Sequence, residues 1–456
     1  MDSVSVMPPS LPSEAAHRPG SASPPTARSA RASLPGAALT SHHFGVPLDH
    51  RDPDGEQLTV FARELVAYEH AGRDDLPWLL YLQGGPGRPS PRPLSRKNGW
   101  LDRALREYRV LLLDQRGTGR SAPATRLTLA ARGSAADQAA YLTHFRADSI
   151  VADAELIRKQ LTGGRPWSVL GQSFGGFCTV TYLSRAPEGL AEAFIAGGLP
   201  GLTTTADDVY RGTYPRVIAK NEAHYARYPG DVELAQRIAA HLASHDVRLP
   251  SGAPFTVRAF QALGLALGMS TGSHLLHYLL EDAFDGDELG DDFLYRALPL
   301  LSFANGPLFG ALHEACYGQG PATRWAAARV RAEFPGFDLE PVPGGDPVLF
   351  TGEMIYPWMF ENDPVLRPLA DVAEILADYE DWPPLYDQDR LAVNEVPAAA
   401  VIYYNDMYVP QQFSVRTAAA IKGLRSWVTS EYEHDGLSAS RDSVLDRLIG
   451  MVRDTV

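Results

Sequence analysis

Cysteine is almost missing from this chain of 456 residues, which has only Cys178 and Cys316. The two stand far apart, with no CxxC and no metal-ligand spacing around them. A disulfide framework is therefore not expected, and a reducing cytoplasm is the expected setting. Long apolar runs are missing too. No stretch approaches the roughly 20 residues that span a bilayer, so no membrane partner is expected. Positive charge is in short supply, with 41 Lys and Arg against 55 Asp and Glu and a formal net charge of −14. That balance argues against a nucleic-acid partner and mildly favours cationic ligands, although solubility accounts for it equally well. The first residues lack an apolar core of the secretory type. Their Pro, Ser and Ala content marks residues 1–38 as a disordered tail.

The rest has the composition of a soluble globular protein, with 45% hydrophobic residues. Its length suits one α/β core carrying an inserted domain. Strand-like runs are Leu58 to Leu65, Pro77 to Leu82, Arg109 to Leu113, Trp167 to Leu170 and Ala193 to Ala196. Helical periodicity covers Ala147 to Leu161, with Asp148 as the expected N-cap. This alternation predicts an α/β fold, a mostly parallel sheet flanked by helices. After Pro200 the chain turns helix-like and aromatic-rich until about residue 344, and strand-like runs return at Pro347 to Thr351 and Ala398 to Tyr404. The expected organisation is a core at 39–200, a helical cap domain at 201–344 and the rest of the core at 345–456. The Pro/Gly cluster Pro341 to Pro347 is the expected return hinge. Such a cap would sit over the C-terminal strand ends, where open α/β sheets bind ligands.

Gly171-Gln172-Ser173-Phe174-Gly175 lies between a strand-like run and a helix-compatible one. A serine on a sharp strand-to-helix turn exposes its hydroxyl, and small residues two before and two after avoid collision with neighbouring backbone. A second G-x-S-x-G match, Gly268 to Gly272, follows a helix-like stretch (Ala259 to Leu267) and lacks that context, so Ser270 is rejected. A serine nucleophile needs a base, and the base needs an orienting acid. In this fold the chain order is Ser, acid, His. Asp406 follows the Ala398 to Tyr404 strand. His434 lies on the loop after Ser426 to Thr429 and is preferred to His313, which precedes the acid. The capping of a helix near Pro410 is the competing role for Asp406. Oxyanion donors are expected from the Phe174 N–H and from the loop containing Gly84 and Gly85.

Taken together, Gly84-Gly85-Pro86-Gly87, Asp114 to Ser121, Gly171 to Gly176, Gly197 to Pro200, Asp406 to Val409 and His434-Asp435-Gly436 resemble the proline iminopeptidases (prolyl aminopeptidases), serine peptidases of the α/β-hydrolase fold. The resemblance covers most of residues 40–456 and is weakest in the cap. Gln83 stands where many members have His, and Phe174 where they have Trp. It implies Ser173 as nucleophile, Asp406 as acid, His434 as base and no cofactor. It also implies peptide substrates with a free N-terminus, whose amine is held by cap carboxylates. Glu314 and Glu353 are the candidates here, with a structural ion pair as the alternative for each. Tyr356 and Trp358 are candidates for an apolar slot around a proline ring. A tripeptidyl-type aminopeptidase and a small-ester hydrolase are the rival readings on the same fold. Ser173 at the elbow excludes an epoxide hydrolase, which needs Asp there.

Overall fold

The computed structural model describes residues 30–97, 99–338 and 345–455. Its main sheet has nine strands: β1 (Ala30–Leu34), β2 (Ala37–Pro47), β3 (Gln57–Ala67), β4 (Trp78–Leu82), β5 (Arg109–Leu113), β6 (Trp167–Gln172), β7 (Leu190–Ala196), β8 (Ala398–Tyr403) and β9 (Leu424–Thr429). Their order is β1-β2-β3-β5-β4-β6-β7-β8-β9. The first three strands join antiparallel and pair antiparallel with β5; every pairing from β5 through to β9 is parallel. The expected α/β fold with a mostly parallel sheet is what the chain adopts.

The period-two pattern of the central strands divides their side chains between two cores. Leu80, Leu82, Val169, Ile195 and Ala400 bury on one face, and Leu79, Tyr81, Leu170, Phe194 and Val401 on the other. Helices cover both faces, so these strands carry almost no polar residues. The helices that matter below are α1 (Ala147–Thr162), α2 (Phe174–Arg185), α3 (Ala206–Arg227), α4 (Ala326–Arg331) and α5 (Gln411–Ala420).

Four expectations need correction. The tail does not extend to residue 38: residues 30–38 form β1 and the start of β2, turned by Pro35-Gly36 with Gly36 at φ 89°. Proline followed by a residue with positive φ is the chemistry of a tight turn, so this Pro/Gly pair marks a hairpin and not disorder. Residues 1–29 lie outside the described residues. Asp148 does not cap α1, whose N-cap is Arg146; Asp148 sits in the first turn, where its charge still suits the helix dipole.

Pro347 to Thr351 forms no strand. Its backbone groups are taken up by insertion side chains and backbone: the Phe350 N–H donates to Asn221 Oδ1 (2.8 Å), the Phe350 carbonyl accepts from Asn221 Nδ2 (2.9 Å), and the Thr351 N–H donates to the Gln261 carbonyl (2.8 Å). With its hydrogen bonds satisfied there, this apolar run has no need of a ladder partner. The sheet resumes only at Ala398, so the mainly helical insertion between β7 and β8 extends past the boundary expected at 345. Most of the expected hinge, residues 341–344, lies outside the described residues.

Candidate active site

β6 ends at the centre of the parallel sheet and turns directly into α2, with Ser173 at the junction. Ser173 has φ 55° and ψ −125°, a conformation that a non-glycine residue adopts only under constraint. Two bonds hold it there: the Ser173 N–H donates to the Ala196 carbonyl (3.0 Å), and its carbonyl accepts from the Gly176 N–H (2.7 Å). A Cβ on Gly175 would stand 1.9 Å from the Leu82 carbonyl oxygen. Glycine is therefore obligatory at that position if α2 is to pack against the end of β4.

Because Leu82 pairs in register with Gly171, the loop after β4 lies beside the elbow. A Cβ on Gly84 would be 2.9 Å from the Ser173 Cβ, so the Gly84 backbone flanks the serine itself. Gln115 Nε2 donates to the Gln83 carbonyl (2.9 Å), which ties this loop to the Asp114-to-Ser121 segment. Asp114 in turn accepts from the backbone N–H groups of Ser90 (3.1 Å) and Arg120 (2.9 Å). Phe174 is the first residue of α2, and its N–H has no acceptor within the helix. Gly84 and Phe174, two of the expected oxyanion donors, thus both adjoin Ser173.

Asp406 and His434 follow β8 and β9, the next parallel strands. His434 Nδ1 lies 2.6 Å from Asp406 Oδ2. The other carboxylate oxygen accepts from the backbone N–H groups of Tyr408 (2.8 Å) and Val409 (3.0 Å). These contacts, and not the capping of α5 (whose N-cap is Pro410), account for Asp406. A Cβ on Gly197 would be 3.5 Å from His434 Nδ1, so the imidazole lies beside the end of β7, next to the carbonyl that holds Ser173. The Tyr408 ring meets the imidazole edge-on at 4.8 Å. Burial disfavours the charged imidazole, but Asp406, reinforced by Glu353 and Asp435, holds its pKa above the usual histidine value.

The other candidates fare as follows. Ser270 is exposed, and its hydroxyl and N–H bond to Asp435 Oδ1 (2.6 and 3.0 Å), a structural tie. His313 is buried between the rings of Phe309 and Tyr317, and burial pushes its pKa down to about 4. Glu314 is buried with a pKa raised to about 7, and its two oxygens accept from the Ala326 and Ala327 N–H groups (2.9 Å each) at the start of α4. The N-cap of that helix, Trp325, is left-handed and makes no side-chain cap bond, so Glu314 supplies the cap from elsewhere in the chain.

Glu353 differs. Its carboxylate accepts no hydrogen bond among the described residues, and burial raises its pKa to about 7 against the lowering influence of His434 and Arg88. It lines a cleft, otherwise chiefly apolar, to which Leu265, Phe309, Met354 and Trp358 contribute. Tyr356 is not part of that lining; its hydroxyl lies 3.0 Å from that of Tyr214 inside the insertion. Trp358 is brought to the cleft, and Tyr356 is not. Arg88 directly follows Gly84-Gly85-Pro86-Gly87, a cation at the end of a glycine-rich loop.

The α/β-hydrolase fold family model matches residues 77–283. The chain is 51% identical over 422 residues to a proline iminopeptidase of Aeromonas sobria, covering 92% of this chain and 98% of that protein. It is 37% identical over 435 residues to a proline iminopeptidase of Aspergillus aculeatus, covering 92% of this chain and 95% of that one. With the elbow serine, the Asp–His pair and the glycine loop standing in one crevice, this extent of likeness settles the family: the chain belongs to the proline iminopeptidases of the α/β-hydrolase fold.

Proposed function

We propose that the chain is a serine aminopeptidase that releases N-terminal proline from peptides, with Ser173, His434 and Asp406 as its catalytic triad. Ser173 Oγ attacks the carbonyl of the first residue while His434 Nε2 takes its proton. Asp406 holds the imidazole through Nδ1 and stabilises the imidazolium. The oxygen that becomes negative is met by the Phe174 N–H and the Gly84-Gly85 backbone. His434 then returns the proton to the departing amine, and a water activated by the same imidazole resolves the acyl-enzyme.

The observation that carries the aminopeptidase reading is Glu353. A partly buried carboxylate with no hydrogen bond among the described residues, within electrostatic reach of His434, favours a cation brought beside it. The ammonium at the start of a peptide supplies that cation, and an ester hydrolase has no use for it. The apolar side chains beside Glu353, Trp358 among them, suit a proline ring. A reducing, cytoplasmic setting agrees with Cys178 and Cys316, both buried thiols outside any disulfide. No helix among the described residues is long and apolar enough to cross a membrane.

Release of a chromophore from amides of L-proline, L-alanine and N-blocked proline tests the reading. Hydrolysis of the free proline amide is expected, with little of the blocked one. Ser173→Ala should lower kcat by about 10⁴-fold or more. Equal cleavage of the blocked amide, or cleavage of simple esters alone, would overturn it in favour of an esterase.

A further inference from the structure

Arg88 stands at the far end of the oxyanion loop. A Cβ on Gly85 would lie 3.4 Å from its Cγ, so its side chain folds back along that loop. The guanidinium sits over the Phe309 ring at 5.2 Å and packs beside Gly306. It is partly buried, which works against its charge, and it has no ion pair among the described residues. The anion that most favours that charge is Glu353, which is close enough to interact electrostatically but outside ion-pair contact. Phe309, the ring beneath Arg88, also lines the cleft of Glu353, so a guanidinium borders that cleft while making no ion pair with its carboxylate.

We propose that Arg88 binds the terminal carboxylate of short substrates, making the enzyme selective for free di- and tripeptides over chains whose C-terminus is distant or capped. This rests on the aminopeptidase reading, in which Glu353 takes the ammonium. A short peptide is a zwitterion whose charges are separated by one or two residues of extended chain, about 3.5 Å each. Glu353 and Arg88 make no ion pair with each other, which leaves both charges open to the two ends of such a zwitterion. In a chain of net charge −14, a substrate carboxylate close to Glu353 is repelled unless a cation receives it. Arginine suits the task because its planar fork meets a carboxylate with two hydrogen bonds.

The test compares kcat/KM for prolylglycine and prolylglycinamide, which differ only in the terminal charge. Wild type should favour the free acid about tenfold or more. Arg88→Gln should collapse that ratio toward one, and Arg88→Lys should restore part of it. If both peptides lose activity together in Arg88→Gln, the ratio stays put. Arg88 then only shapes the loop or supports Glu353, and the proposal is overturned. A wild-type ratio near one overturns it directly, while the aminopeptidase reading stands. Cleavage of neither peptide by wild type ends that reading, and this proposal with it.

Discussion

Glu353 and His434 each favour the charged form of the other, yet catalysis asks them for opposite changes. In the proposed mechanism the base must be neutral to accept the Ser173 proton, and Glu353 must be ionised to hold an ammonium. Glu353, with a pKa raised to about 7, gains its charge as pH rises through that value. His434, raised above 6.5, loses its proton over a neighbouring range. On the acid side kcat/KM for a proline amide is therefore expected to fall with a logarithmic slope approaching two. The two steps belong to the pair and not to either residue alone. Glu353→Gln should cut kcat/KM about 10²-fold, since the proposed partner of the substrate ammonium loses its charge. It should also reduce the acid slope to one and move that limb to lower pH, because His434 loses an anion that favours its protonation. A pH–rate profile of both proteins checks this, and an unchanged slope would remove Glu353 from the binding of the amine.

At the scale of elements, the elbow is a packing solution before it is a catalytic one. Gly175→Ala places a methyl carbon against the Leu82 carbonyl at the end of β4, with backbone on both sides of the contact. The cost expected from chemical denaturation is about 3 kcal/mol or more. Glu314→Ala removes the cap of α4 and is expected to cost about 1–2 kcal/mol by the same measurement. The elbow was legible in the sequence because a strand, a small-residue turn and a helix leave a local signature; β8 was legible from its apolar run, and β9 only in part, over Ser426 to Thr429. Pro347 to Thr351 misled because β-like composition reports burial, while Asn221 and Gln261, distant in sequence, decide where the hydrogen bonds go. The same holds for the carboxylates of the insertion. Glu314 and Glu353 are alike as letters, and only the placement of α4 makes one a cap and leaves the other facing the triad.

Across the whole molecule, the insertion and the triad loops are fastened together. The His434 N–H donates to the Gly268 carbonyl (3.1 Å), the Tyr408 hydroxyl to the Leu265 carbonyl, and Ser270 to Asp435. The segment around residues 265–270 thus grips the loops carrying both the acid and the base. Tyr408→Phe removes one buried hydrogen bond of about 1–2 kcal/mol and is expected to raise local opening about tenfold. Hydrogen exchange across 262–276 should report it, together with a several-fold fall in kcat. Exchange that is unchanged while kcat falls would mean that the hydroxyl serves the reaction and not the docking.

The order in which the triad is encoded gives that fastening a meaning in time. The nucleophile leaves the ribosome first, on a turn shaped by β4, β6, α2 and β7, all of which precede the insertion. Its acid and base follow only after the entire insertion has been made, and they settle against it. A nascent or truncated chain that stops short of β8 carries a serine without a base, so peptide hydrolysis is withheld until the loop after β9 has been made.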